Sequence, residues 1–330
     1  MLISIVVPVF NEEENIDAFY SEVCKYMEPL PLTFEMIFVD DGSRDATPLI
    51  LDRLSQADSR VRALIMARNF GHQVALSCGL DHADGDAVIT MDGDMQHPPS
   101  MLPQLIETWQ SGYQVVQTIR KATEGVSWFK KFTSSTYYKL INSISQIHVT
   151  EGGSDFRLMD KQVVASFRLF RERARFIRGM ISAIGYKQAT IEFTAPPRYA
   201  GTSKFSLRRM LHFALDGITA YSKMPLRIAF YIGVLCGIAS FAVTLHVLYI
   251  KLFTEEAVPG WATISASILL LGGLQLTGLG IIGEYVGRIF EEVKQRPLYW
   301  LRADLRQECP SRSVFEKNKK ITCDIRENCL

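Results

Sequence analysis

The chain has 330 residues, 36 of them basic and 35 acidic, and a formal net charge of +1. That length fits one large domain or two ordinary ones, and the charge balance argues against a dedicated nucleic-acid binder. Hydrophobic residues make up 48%, slightly rich for a soluble enzyme, and the excess lies in the C-terminal part.

The first predicted strand covers residues 3–10. It is far too short to span a membrane, and with no charged n-region or small-residue cleavage site it does not read as a signal peptide. Asn11-Glu12-Glu13-Glu14 then caps a helix and gives it an acidic first turn. A second strand is predicted over residues 34–40, ending in Asp40-Asp41-Gly42-Ser43, with a helix over 45–57. A third strand at 61–66, a helix at 72–83, a fourth strand at 87–91, a helix at 99–109 and a fifth strand at 113–119 follow. This alternation predicts an α/β fold with a mostly parallel sheet and helices on both faces. The nearly uniform apolar strands fit a sheet covered on both sides.

The fourth strand runs into Asp92-Gly93-Asp94-Met95-Gln96-His97-Pro98-Pro99. Residues two apart on a strand share a face, so Asp92 and Asp94 are expected to point the same way, with the Gln96 amide oxygen beside them. Three hard oxygen ligands suit Mg²⁺ or Mn²⁺, whose open positions substrate phosphates can fill. The leaving group this implies is a nucleoside diphosphate. Taken alone, Asp-x-Asp reads more readily as a solvated turn; its place at the carboxyl end of a strand favours a ligand.

Beyond the fifth strand a helix is predicted over residues 126–147, followed by a basic cluster of Arg171, Arg173, Arg175, Arg178 and Lys187. Arg171 and Arg173 read as a basic surface facing anionic lipid. Residues 205–221 alternate apolar and charged side chains as an amphipathic helix lying in a membrane interface would. Residues 228–250 and 257–283 contain no Asp, Glu, Lys or Arg. Each is long enough to cross the hydrocarbon core, which needs ~20 apolar residues. Arg208, Arg209, Lys223 and Arg227 precede the first span, and Arg288, Lys294 and Arg296 follow the second. The positive-inside rule then places both termini in the cytoplasm. The predicted organisation is a catalytic domain at 1–204, an interfacial helix at 205–226, two transmembrane helices at 227–287 and a cytoplasmic tail at 288–330, polar and frayed after Arg302. The six cysteines form no C-x-x-C pair and read as free thiols in a reducing compartment. His72, His82, His148, His212 and His246 lack metal-site spacing and read as structural or surface residues. Gly272, Gly273, Gly278, Gly280 and Gly283 allow close helix packing.

Val7-Pro8-Val9-Phe10-Asn11-Glu12-Glu13, Asp40-Asp41-Gly42-Ser43, Asp92-Gly93-Asp94-Met95-Gln96 and Arg198-x-x-Gly201-x-Ser203-Lys204 occur in that order. Together they resemble glycosyltransferase family 2. The two apolar stretches and Gly283-Glu284-Tyr285-Val286-Gly287-Arg288 resemble its bacterial polyisoprenyl-phosphate members, the bactoprenol glucosyltransferases especially. The resemblance covers residues 2–300. It implies a GT-A fold and inverting, metal-dependent transfer of a hexose, glucose first, from a UDP-sugar to undecaprenyl phosphate. The setting it implies is the cytoplasmic face of a bacterial inner membrane, where the product serves O-antigen or envelope glycan modification. It further implies that Pro8, Phe10, Glu12, Asp40, Asp41 and Asp92 hold the nucleotide sugar, and that Asp92, Asp94 and Gln96 hold the metal. Arg198, Ser203 and Lys204, with Arg175 and Arg178, are implied to clamp the lipid phosphate. Asp155, in the Gly-rich loop 152–157, matches the acceptor-side carboxylate, as a base or an orienting group. His97 is a departure, since relatives often carry Asp there; it bears on metal affinity or only on the loop. Relatives also imply a homo-oligomer, a tetramer. Mannose or an aminoarabinose derivative as the sugar, and a non-catalytic membrane scaffold, stay open as other readings. A processive synthase would need more spans and a Gln-x-x-Arg-Trp motif.

Overall fold

The structure is a computed structural model that describes residues 1–120, 153–173, 175–194, 224–253 and 260–306. The helix expected at 126–147, the interfacial helix at 205–221, and Arg198, Ser203 and Lys204 lie outside the described residues.

The strands are β1 (Leu2–Val9), β2 (Thr33–Asp40), β3 (Val61–Met66), β4 (Ala87–Thr90), β5 (Val115–Arg120), β6 (Gly153–Asp160), β7 (Gln188–Phe193) and β8 (Leu301–Arg306). They form one sheet in the order β7-β5-β6-β4-β1-β2-β3-β8. β4, β1, β2 and β3 pair in parallel, as the βαβα pattern predicts. Period-two alternation divides the core. Ile3, Ile5 and Val7 face one side, where α1 (Ile16–Met27), α2 (Thr47–Ala57) and α4 (Leu102–Gln110) contribute Phe19, Leu51 and Leu105. Val6, Ile37, Val39 and Leu64 face the other, under α3 (His72–His82), α5 (Lys161–Leu169) and α6 (Ile177–Ile184).

Three features differ from the sequence expectation. First, the 152–157 segment expected as a loop is mostly strand: β6 begins at Gly153 and runs antiparallel between β4 and β5. Phe156 and Leu158 fill one core while Met159 fills the other, so burial on both faces overrides the glycine signal. Second, β4 stops at Thr90, so Asp92 and Asp94 sit in a turn rather than on a strand face. Third, the chain after Arg302 does not fray at once. Leu301–Arg306 pairs antiparallel with β3 and closes what would be an open edge. The Arg62 guanidinium grips Asp304 through Nε at 2.9 Å and Nη2 at 2.7 Å. Ala303 and Leu305 pack on the core, leaving Arg302, Asp304 and Arg306 on the exposed face, an alternation readable in the sequence.

Between β7 and β8 come α7 (Met224–Phe253) and α8 (Trp261–Val293), which contain residues 228–250 and 261–283 of the two expected spans. Phe230, Leu235, Phe241, Leu276, Leu279 and Ile282 are all exposed, as on a surface meant for lipid or another apolar partner. Among the described residues one window, Leu226–Val243, has the length and apolarity of a membrane crossing.

Candidate active site

Loops that follow parallel strands collect at the carboxyl edge of the sheet, where ligands bind in open α/β folds. Phe10–Glu12 follows β1, Asp40–Ser43 ends β2, Arg68–His72 follows β3 and Asp92–His97 follows β4. β6 runs the opposite way, so its first residues reach the same edge. Thr90 opposes Arg157 in the ladder, and the same antiparallel register carried outward brings Asp155 beside Asp92. The Thr90 hydroxyl donates to the Asp155 carbonyl at 2.6 Å and pins that register.

On the β1–β2 side, Pro8 pairs with Val39 within the ladder, and Phe10 is half-buried just past it. Asn11 takes a left-handed φ of 53°, which asparagine tolerates better than most residues. Its N–H donates to Ser43 Oγ at 2.8 Å, and its side-chain oxygen accepts from Arg44 N at 2.9 Å, tying the two loops. Glu12 accepts from the Asn15 side chain. Gly42, at φ 72°, lies so near the backbone of Arg68 and Asn69 that a Cβ would meet it at 2.5 Å. No other residue fits there without moving that loop.

Asp40 and Asp41 do different things. Asp40 Oδ1 accepts from Ser43 N at 3.1 Å, while Oδ2 is buried with no hydrogen-bond partner among the described residues. A buried orphan acceptor at a ligand-binding edge fits a donor group on a bound molecule. Burial pushes the Asp40 carboxyl above its ordinary range, against the Ser43 hydrogen bonds. Asp41 spends its carboxylate on the backbone, accepting from Phe70 N at 2.7 Å and Gly71 N at 3.0 Å. It thereby shapes the loop that leads into α3. Burial raises its carboxyl too, opposed by those two N–H groups.

In the β4 turn, Asp94 Oδ1 accepts from Gln96 N at 3.1 Å, and Met95 takes φ 63°. The Gln96 amide oxygen lies 3.4 Å from Arg120 Nη1. Among the described residues no cluster of three or more His, Cys, Asp or Glu forms a closed metal cage. Two carboxylates and an amide oxygen on one turn instead make an open, hard-oxygen set. Such a set fits a Mg²⁺- or Mn²⁺-like ion that completes its shell with substrate oxygens.

Asp155 is 9% exposed and ringed by donors. Arg178 reaches it through Nε at 2.8 Å and Nη2 at 3.2 Å, Arg157 Nη2 at 3.2 Å and Gln73 Nε2 at 3.3 Å. Burial alone would raise its carboxyl, but the Arg178 charge, His72 and Arg157 hold it well below the ordinary range. Arg178 is therefore brought to the site, as a partner of Asp155. Arg175 lies with its guanidinium 5.5 Å from the Phe167 ring centre. Arg171 and Arg173, expected as a lipid-facing surface, also make contacts within the protein. Arg171 pairs with Asp81 at 3.4 Å, and the Arg173 backbone N–H donates to Glu292 at the end of α8 at 2.7 Å.

Sequence reading missed His72, Gln73 and Arg157. His72 opens α3, and its Nε2 stands 3.6 Å from Asp92 Oδ1 and 3.7 Å from Asp155 Oδ2, bridging the two carboxylates. Burial lowers its pKa, but the Asp155 and Asp92 carboxylates outweigh that and lift it to about 9. The usable signal was position: residue 72 follows a parallel strand at the ligand edge. Arg157 is fully buried, and burial pulls its pKa down to about 10 against the pull of Asp155. No pattern in the sequence marks a charged residue inside β6.

The model of "Glycosyl transferase family 2" matches residues 4–167. Across nearly the whole chain, a "SfII prophage-derived bactoprenol glucosyl transferase" of Shigella flexneri is 43% identical over 302 residues, covering 92% of this chain and 98% of the relative. The chain belongs to glycosyltransferase family 2. It is a glycosyltransferase with a GT-A-like fold. An "Uncharacterized glycosyltransferase YkcC" of Bacillus subtilis is 41% identical over 296 residues, covering 90% of this chain and 92% of the relative. Among solved structures, mannosyl-3-phosphoglycerate synthase from Rubrobacter xylanophilus aligns at a TM-score of 0.46 and 15% identity, over 67% of this chain and 72% of that one.

Proposed function

We propose that this enzyme transfers glucose from UDP-glucose to undecaprenyl phosphate with inversion, at the cytoplasmic face of a bacterial inner membrane. One observation carries the reading: a donor-side carboxylate, Asp92, and an acceptor-side carboxylate, Asp155, meet across His72 at 3.6 and 3.7 Å on the ligand edge. Relatives named as bactoprenol glucosyl transferases support the choice of sugar and lipid.

Asp92, Asp94 and Gln96 would hold Mg²⁺ or Mn²⁺, which supplies neutralisation of the charge developing on the leaving diphosphate. Asp40 offers its unpaired oxygen to a nucleoside N–H or hydroxyl, with Pro8, Phe10 and Glu12 lining the same side. The acceptor, a phosphate monoester with a second pKa of about 6, is mostly dianionic at neutral pH and needs cations more than a base. The depressed carboxyl of Asp155 is a poor proton acceptor, so its role is to orient Arg178 and His72 toward that phosphate. Arg198, Ser203 and Lys204 complete the phosphate clamp in this reading. The apolar helices anchor the domain in the bilayer, both termini cytoplasmic. The return of the chain from α8 into the catalytic sheet as β8 supports a two-span hairpin with both ends on one side.

The test is purified enzyme with undecaprenyl phosphate and a panel of UDP-glucose, UDP-galactose, GDP-mannose and a UDP-aminoarabinose derivative. UDP-glucose should give the fastest movement of label into organic extract. Faster transfer from another donor would replace glucose with that sugar. Donor binding without transfer from any of them would favour a scaffold.

A further inference from the structure

His97 has a place in the site that the metal set, the nucleotide pocket and the acceptor carboxylate do not account for. The residue is 6% exposed, its ring stacked on Phe156 at 5.1 Å with a 19° interplanar angle and edge-on to Phe193 at 6.0 Å. The backbone N–H of Asp92 donates to Nδ1 at 2.8 Å. A ring nitrogen that accepts carries no proton, so the imidazole is the neutral tautomer with hydrogen on Nε2. Nε2 then donates to Ser154 Oγ at 2.7 Å. The same Oγ accepts from Phe156 N at 3.2 Å, which fixes it at the head of β6, one residue before Asp155.

We propose that His97 is a positioning residue for the transfer reaction, a buried brace that holds the donor turn at Asp92 against the acceptor strand at Ser154–Asp155. The proposal rests on the functional reading above. Thr90, at the end of β4, holds the Asp155 carbonyl from within the ladder, and His72 bridges the same carboxylates from the half-exposed opening. Among the described residues His97 is the buried side chain that hydrogen-bonds the Asp92 backbone itself to Ser154. The brace is rigid by construction. Two hydrogen bonds fix the ring within its plane, and two aromatic rings fix the plane itself. Its geometry sets the separation of two substrates that must meet in line, so a loose brace costs rate before it costs binding.

The test compares His97→Ala, His97→Asn, Ser154→Ala and the double variant His97→Asn/Ser154→Ala. UDP binding by calorimetry gives affinity and, from stoichiometry, the folded fraction. His97→Ala should lose about tenfold or more in kcat per binding site, while donor affinity shifts less than about threefold. Asparagine can still accept the Asp92 N–H through Oδ1 but falls short of Ser154. His97→Asn and Ser154→Ala should therefore slow transfer alike, and the double variant should be no slower than either. Hydrogen exchange at the Asp92 amide should accelerate in His97→Ala and stay slow in His97→Asn. An unchanged kcat per site in His97→Ala, strictly additive losses, or unaltered exchange at Asp92 would each overturn the proposal. If the wild type transfers no glucose, the functional reading fails by itself, and the exchange measurement still decides whether the brace exists.

Discussion

Asp155→Asn is expected to leave UDP-glucose bound and to stop its transfer. The substitution keeps the shape and removes the charge that holds Arg178 at 2.8 Å and offsets the buried Arg157. Leaving a buried cation uncompensated costs about 3–5 kcal/mol of stability. Misplacing Arg178 and His72 at the acceptor costs about 10²-fold or more in kcat. Calorimetry with UDP-glucose, initial rates and a thermal melt on the same preparation separate these effects. Wild-type turnover would return Asp155 to a purely structural role, and loss of donor binding would move it to the nucleotide pocket. The sign of the pH effect also follows. A carboxyl held below its unfolded value contributes stability in full above about pH 4 and loses it only as pH falls through the depressed folded pKa. Wild type should therefore show a stability loss on acidification that Asp155→Asn lacks.

Asp94→Ala should be the other near-inactive variant. Its carboxylate sits on the turn that carries Asp92 and Gln96, and removing a group that stabilises leaving-group charge costs about 10²–10³-fold in kcat. EDTA should stop the wild type, and Mn²⁺ or Mg²⁺ should restore it. The variant should stay slow whatever cation is added. Undiminished turnover in EDTA would remove the metal from the account. Because Asp94 Oδ1 also accepts the Gln96 N–H, Asp94→Asn, which keeps that acceptor, is the control for a collapsed turn.

The parallel half of the sheet was legible because each strand is apolar on both faces and ends in a turn with a recognisable residue set. β3 agrees residue for residue, and β4 differs only where the sequence could not show that Met91 leaves the ladder. The antiparallel strands were not legible in the same way. β6 opens with Gly153-Ser154-Asp155, which reads as a loop until its neighbours are known, and the partner register decides otherwise. β8 shows a clean alternation, but six residues of strand after a long apolar segment pair with a strand more than two hundred positions earlier. At the candidate site, Asp92 and Asp94 were marked by their spacing after an apolar strand, and Asp155 only by resemblance to relatives. His72 was marked only by its place after a parallel strand, and Arg157 by nothing in the sequence; their approach to Asp155 belongs to the tertiary structure. His97 was noticed as a departure from relatives, but its two-sided hydrogen bonding belongs to the tertiary structure.

The most direct test of the central claim is the structure of the product. Enzyme, UDP-α-glucose and undecaprenyl phosphate should yield an organic-soluble phosphodiester of glucose, with the anomeric coupling of a β linkage by NMR and one UDP released per sugar transferred. An α linkage would contradict inversion. UDP release without any lipid-linked glucose would contradict undecaprenyl phosphate as the acceptor.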